Sequence, residues 1–442
     1  MIVLSGAELV LPDRILTPGT LVIDGGRIAD VRAGSAAGHG DSAFAFHGHY
    51  IVPGFIDAHV HGLEGIDSLD GGDAIRSIAS RLPRYGVTAF CPTTVACTPE
   101  VLRSVLSQVR FARESPEPRS ARVLPAHLES NFINPDFRGA QPLACLRSPW
   151  AALERLRPER GAGVPNAAAV LAWPAGGKPG ETGPPSDIER GCGPASSEES
   201  EPPFSAADIL REIERAAPDV GIVTLAPELE GGLDLIRWLT SRGHRVSLGH
   251  SAATYDESLA AIAAGAKHAT HLFNRMPPLA HRAPGLAGAV LQTDEVAAEL
   301  ICDGIHVHPA FLRMAVAAKG PPRVMAITDG TSAAALPTGA RARLGGQSIT
   351  AGDSAAYLAD GTMAGSVLTM DRSFHVLVAQ VGLSLVDAAM LCSTTPAREL
   401  GLVGHGLLTP DAAADVVVLD PQFSVVQTYI GGQLAYARPG TL

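Results

Sequence analysis

Apolar and polar residues alternate along 2–52 in short runs broken by glycine: MIVLSGAELVL, GTLVIDGGRIADV and FHGHYIVPG. A period of two predicts half-buried strands. Residues 413–436, AADVVVLDPQFSVVQTYIGGQLAY, carry the same pattern. Two β-rich ends around a different middle predict one small β domain assembled from 1–52 and 401–442. The middle, 53–400, repeats another unit: a short apolar run that ends in polar residues, often followed by a helical pattern. Eight runs fit: GFIDAHVH (54–61), VTAFCPT (87–93), RVLPAHLE (122–129), GIVTLAPE (221–228), RVSLGHS (245–251), KHATHLF (267–273), AELICDG (298–304) and RVMAITD (323–329). Helical stretches at 100–113, 206–216, 230–242 and 254–264 lie between several of them. Eight strand–helix units predict an α/β fold, a (β/α)8 TIM barrel. An open doubly wound sheet would want a glycine-rich phosphate loop after its first strand; this strand ends in His-Val-His instead. Residues 158–203 break the rhythm, with nine prolines and eight glycines and no useful periodicity. They read as a mobile surface insertion between the third and fourth barrel strands, with a lid over the site as the alternative.

The polar ends of those runs carry the chemistry. Side chains two apart on a strand share a face, so His59 and His61 can converge on one metal ion. Glu129, His250, His271 and Asp329 close four other runs. In a barrel these are C-terminal strand ends, where active sites sit. One carboxylate with several imidazoles suits a first-row divalent metal. Any one of them read alone could be a helix cap or a hydrogen-bonded core histidine; six at one end of a barrel are not explained that way. His47 and His49 form a second His-x-His pair, but within the terminal β domain, and take no ligand role. Asp329 is the natural proton shuttle, able to take a proton from attacking water and return it to a leaving amine. Its alternatives are a further metal ligand or a helix cap. Cys91 and Cys302 near the same rim read as packing residues.

Composition narrows the classes. Of 442 residues, 46% are hydrophobic and 18% charged, enough for a large core and too apolar for global disorder. The formal net charge of −11 argues against nucleic acid as a partner. An anionic substrate must therefore be caught by a local cationic pocket. The six cysteines (91, 97, 145, 192, 302 and 392) show no CxxC pair and suggest a reducing compartment. Asp13 and Arg14 interrupt the first apolar stretch before it can serve as a signal peptide. No run reaches the ~18 apolar residues of a membrane span. The expectation is a cytoplasmic protein with no membrane partner.

Several stretches together resemble the N-acetylglucosamine-6-phosphate deacetylase family of the amidohydrolase superfamily. They are PGFIDAHVHG (53–62), AHLESNFINP (126–135), TLAPE (224–228), GHS (249–251), ATHLFNRMPPLAHRAPGLAG (269–288), CDGIHVHP (302–309), ITDGT (327–331), DGTMAGSVLTM (360–370) and TPAR (395–398), in family order. The insertion 158–203 is not part of the match.

The resemblance implies a distorted (β/α)8 barrel with a small β-sandwich domain from both termini. It implies a divalent metal, zinc or iron, held by Glu129, His250 and His271, and a second ion in members that keep His59 and His61. The family's catalytic aspartate matches Asp329, and His306 positions the sugar or supports the acetyl group. Sugar-phosphate contacts fall on Ala140, Gln141, Asn274, Arg275, Arg282 and Asp303 to His306, with Met363, Ala364 and Gly365 on a further loop. Arg282 reaches the neighbouring subunit's pocket in the family, which implies a homodimer; in isolation it reads as a solvated surface arginine. Two positions depart from the pattern. Ser130-Asn131 follow Glu129 where Gly-Pro is usual, and Gln141 stands where a histidine commonly contacts the acetyl carbonyl. The expected activity is deacetylation of N-acetylglucosamine 6-phosphate in amino-sugar catabolism. The alternatives are an N-acetylgalactosamine 6-phosphate substrate, a cyclic amide, against which the phosphate-type loop argues, or a non-catalytic barrel binding protein.

Overall fold

All eight expected apolar runs form barrel strands in the computed structural model, which describes residues 1–35, 43–150, 153 and 204–440. The insertion 158–203 lies outside the described residues. The strands are Phe55–Val60, Val87–Thr94, Arg122–Val123 continued by Ala126–Glu129, Val220–Leu225, Arg245–Leu248, His268–Ala269, Ala297–Ile301 and Val324–Ile327. Each pairs in parallel with the next. Phe55–Val60 and Val87–Thr94 are buried at every position. Parallel strands covered on both faces read as continuous apolar runs, which is why the sequence displays them.

The barrel is distorted at two places. Pro125, with no N–H to give the ladder, splits the third strand between Val123 and Ala126. The seam between the eighth strand and the first holds by a bridge from Val60 to Gly330. Beside it Asp329 N donates to His59 O at 3.0 Å and His61 N to Gly330 O at 2.8 Å.

The outer helices follow their sequence signals. In Pro99–Glu114 the Thr98 hydroxyl accepts from Val101 N and proline fills the first helical position. Leu102, Val105, Leu106 and Val109 of that helix are buried at three- and four-residue spacing. Tyr255–Ala264 starts on a capping box between Thr254 and Glu257.

Head and tail build one eight-stranded, sandwich-like unit. Its join is the antiparallel pair Tyr50–Pro53 with Val416–Leu419, in which Val52 faces Val417. Leu4, Leu9, Leu21, Ile28, Ile51, Val418 and Tyr429 form a core separate from the barrel's.

One element has no counterpart among the expectations. Strands Arg341–Leu344, Gln347–Ala351, Ala355–Tyr357 and Met363–Ser366 make a four-stranded sheet between the eighth barrel strand and the helix Met370–Val376. It packs its own small core against Val95 and Ala333 and carries Met363–Gly365 to the barrel mouth.

Candidate metal centre and active site

Four barrel strands deliver their terminal polar residues to one point. Glu129 ends the third strand, His250 and His271 lie just past the fifth and sixth, and Asp329 lies just past the eighth. The last three have left-handed backbones, with φ of 49°, 30° and 48°. Such strain in non-glycine residues persists where surrounding contacts over-determine it. Here His250 Nδ1 is bonded to Phe137 O at 2.8 Å, and the seam hydrogen bonds hold Asp329.

Nε2 of His250 and of His271 each stand 2.9 Å from Glu129 Oε1 and 3.1 Å from one another. On the other side, Nε2 of His59 and of His61 are 3.2 Å apart. Asp329 Oδ1 lies 3.4 Å from the first and 3.2 Å from the second. Glu129 Oε2 is 3.5 Å from His61 Nε2, so this carboxylate offers one oxygen to each half.

This donor set fits a divalent metal. Two pairs of imidazole nitrogens converge nitrogen to nitrogen at 3.2 and 3.1 Å, as two ligands of one cation do. Among the described residues, the ion-pair partners of Glu129 and Asp329 are imidazoles alone. Burying two carboxylates with no lysine or arginine against them is expensive unless a cation joins them. Nitrogen and carboxylate oxygen are borderline donors, the set that first-row divalent ions take.

Charge and burial compete throughout. Burial opposes a proton on His61, yet hydrogen bonds to Asp329 and Glu129 outweigh it and raise its pKa to about 10. Burial pushes Asp329 and Glu129 up, but His61 beside the first and His250 beside the second more than reverse it. Both carboxylates stay ionised. His127, sealed in the wall behind His59, is pushed by burial down to about 4 and is neutral.

His61, Glu129, His250, His271 and Asp329 floor a cavity of about 250 Å3. Its wall includes Ala140, Gln141, Asn274, Arg275, His306, Met363 and Gly365. Gln141 Oε1 accepts from Ala96 N at 2.7 Å while its Nε2 donates to Glu129 Oε2. It therefore anchors this carboxylate from outside. His306 Nδ1 is 2.5 Å from Asp303 Oδ2, and His306 Nε2 is buried with no hydrogen-bond partner among the described residues. Arg275 donates from Nη2 to Met363 O at 2.9 Å, tying two loops together. Gly139 permits this: a Cβ there would lie 2.5 Å from Arg275 Nε.

Three expected substrate contacts lie elsewhere in the single chain. Arg282 is exposed and does not line this cavity. Ala364 is buried in the core of the four-stranded sheet. Asp303 lines a neighbouring cavity and meets the site through His306. His47 is exposed in the terminal unit and does not line this cavity either. Cys91 and Cys302 are fully buried, and burial pushes both thiols up. Ser130 and Asn131 anchor the chain after Glu129. Ser130 Oγ donates to Thr224 O at 2.6 Å, and Asn131 Nδ2 donates to Cys97 O at 2.8 Å and Cys145 O at 2.7 Å.

Sequence reasoning missed Asp57, His127 and Glu299. Thr328 Oγ1 donates to Asp57 Oδ2 at 2.6 Å, lacing the first strand to the eighth beneath the site. Burial lifts the Asp57 pKa to about 7 despite those bonds from Thr328. The available signal was a charged residue inside an apolar strand, as in FIDAHV and AAELI, and for His127 its place two residues before Glu129 on the same face.

A family model described as the amidohydrolase family matches residues 188–435. The chain is 34% identical over 452 residues to N-acetylglucosamine-6-phosphate deacetylase of Rattus norvegicus, covering 98% of this chain and 94% of that protein. It is 32% identical to N-acetylgalactosamine-6-phosphate deacetylase of Escherichia coli O157:H7, covering 87% of each. It also superposes on a mutant form of N-acetyl-D-glucosamine-6-phosphate deacetylase from Mycobacterium smegmatis, solved in complex with N-acetyl-D-glucosamine-6-phosphate. That likeness has a TM-score of 0.79 at 29% identity over 99% of both chains.

Proposed function

The chain belongs to the N-acetylglucosamine-6-phosphate deacetylase family, within the amidohydrolases, and from that premise we propose that it hydrolyses the N-acetyl group of N-acetylglucosamine 6-phosphate, giving glucosamine 6-phosphate and acetate in amino-sugar catabolism. The observation that carries this reading is the placement of Asp329 Oδ1 3.2 Å from His61 Nε2, at the floor of the cavity that Glu129, His250 and His271 also line.

Glu129, His250 and His271 would hold one divalent ion, zinc or iron. His59 and His61 would hold a second. When bound, such an ion supplies Lewis acidity to the amide carbonyl and to water. Asp329 accepts the proton of the attacking water on its carboxylate and hands it to the departing amine. Its ionised state suits the first half of that task. His306 presents its unpartnered Nε2 to the sugar or the acetyl oxygen, with Asp303 fixing the ring from behind. Gln141 has a second N–H free to donate after its bond to Glu129. Asn274 and Arg275 supply donors for the sugar phosphate. Met363 and Gly365 shape the opposite wall, with Ala364 packed beneath them. Arg282, exposed in its own chain, serves the pocket of a second copy, so the working form is a homodimer. The five free cysteines among the described residues agree with a reducing, cytoplasmic setting. Among those residues no helix is long and apolar enough to cross a membrane.

The Escherichia coli relative supports a second reading, in which the substrate is N-acetylgalactosamine 6-phosphate. Amine release from both epimers, with metal content measured on the same sample, decides between them. Release from neither, by metal-loaded protein, would overturn the deacetylase reading.

A further inference from the structure

Behind the metal centre lies a buried carboxylate that the mechanism above leaves unused. Glu299, on the strand Ala297–Ile301, is fully buried. Its Oε2 lies 3.1 Å from His59 Nδ1. Its other oxygen, Oε1, has no hydrogen-bond partner among the described residues and stays 3.8 Å from His127 Nδ1. That nitrogen is already engaged, at 3.0 Å, with Ala58 O, and His127 Nε2 is engaged with Thr224 Oγ1 at 2.7 Å. The His127 ring stands edge-on to His59, with centroids 4.5 Å apart. His59 is thus flanked by a carboxylate and by a second imidazole whose two nitrogens are both hydrogen-bonded.

The other three imidazoles of the centre lack such backing. His250 Nδ1 faces a backbone carbonyl, and Nδ1 of His61 and of His271 have no hydrogen-bond partner among the described residues. A carboxylate behind a ligating imidazole takes its far proton, fixes the ring and makes the near nitrogen a better donor. We infer that Glu299 is a positioning residue for the His59/His61 half of the centre, setting the affinity of the second metal ion while leaving the ion at Glu129, His250 and His271 largely alone. The inference rests on the reading of His59 and His61 as metal ligands.

The test titrates metal-free protein with Zn2+ at one fixed pH, following heat and bound metal, beside melting temperatures of the metal-free forms. Glu299→Gln keeps the shape and an acceptor oxygen but removes the charge; Glu299→Leu removes both. The weaker of two binding events should lose roughly 10–100-fold in affinity in Glu299→Leu, with Glu299→Gln between it and the wild type. The tighter event should stay put. Unchanged affinities in both variants, or equal losses at both events, overturn the proposal. Should Glu299→Leu fail to fold, Glu299→Gln alone decides by the same criterion. His61→Asn separates the underlying reading: it should abolish one binding event. If it leaves the stoichiometry of the wild type, His59 and His61 are not ligands and the premise fails, whatever Glu299 does.

Discussion

Asp329 and His61 meet across the seam of the barrel, Oδ1 to Nε2 at 3.2 Å, and the backbone bonds that close the seam also set that distance. Asp329 N donates to His59 O, and His61 N donates to Gly330 O. Asp329, the proposed proton shuttle, and the His-x-His pair are therefore one mechanical unit. A change that loosens the seam moves catalysis as well as stability.

Removing one imidazole from the Glu129 half should remove metal. In His271→Ala the carboxylate keeps His250 but loses the contact now made at 2.9 Å. Bound metal, measured by elemental analysis, should fall along with nearly all turnover. Full activity in metal-free protein would end the metal-dependent account.

Asp329→Asn should preserve fold and bound metal but lose proton transfer. General acid–base catalysis contributes on the order of 10²–10⁴-fold, and kcat should drop by that much. A loss under about threefold would pass the role to another group, with His306 next in line.

Arg282→Ala should discriminate between substrates. A charge-assisted hydrogen bond is worth roughly 1.5–3 kcal/mol, so kcat/KM for the 6-phosphorylated sugar should fall about tenfold or more. The unphosphorylated sugar should be little affected. Mixing Arg282→Ala subunits with Asp329→Asn subunits should restore some activity, because an intact Arg282 and an intact Asp329 can then meet in one pocket. No recovery in proven mixed dimers would confine Arg282 to its own chain.

Glu399 gives a pH signature away from the site. Burial opposes its charge, but His268 and Arg398 hold its pKa down at about 2, against an ordinary 4.5. A depressed carboxylate stabilises the fold above its unfolded pKa, and that contribution is lost as pH falls towards the folded value. The melting-temperature gap between wild type and Glu399→Gln should therefore be widest near neutral pH and narrow as pH drops below about 4.5. A gap that is constant with pH would assign the effect to packing.

The barrel was legible because its strands are buried on both faces and end abruptly in polar residues. Glu129, His250, His271 and Asp329 stand out for that reason alone. The four-stranded sheet was not legible, since its strands are three to five residues long, and alanine, serine and glycine in them carry little β preference. Nor could Glu299 be paired with His59, because only barrel closure brings together residues 240 apart in sequence. The left-handed backbones of His250, His271 and Asp329 leave no trace in residue identity. Arg282 marks a further boundary: its proposed role depends on a second copy, about which a single sequence can speak only through resemblance.

The pairing of Val52 with Val417 dictates an order of events during synthesis. The strand Tyr50–Pro53 leaves the ribosome long before its partner, and the first barrel strand begins almost at once after it, at Phe55. Until residues 416–419 emerge, that strand keeps an unpaired edge, a template for association with other nascent chains. Bringing such distant segments together is slow. The terminal unit can therefore be completed only after all eight barrel strands have been made. Release of premature, C-terminally shortened chains should yield aggregation rather than a trimmed but active barrel.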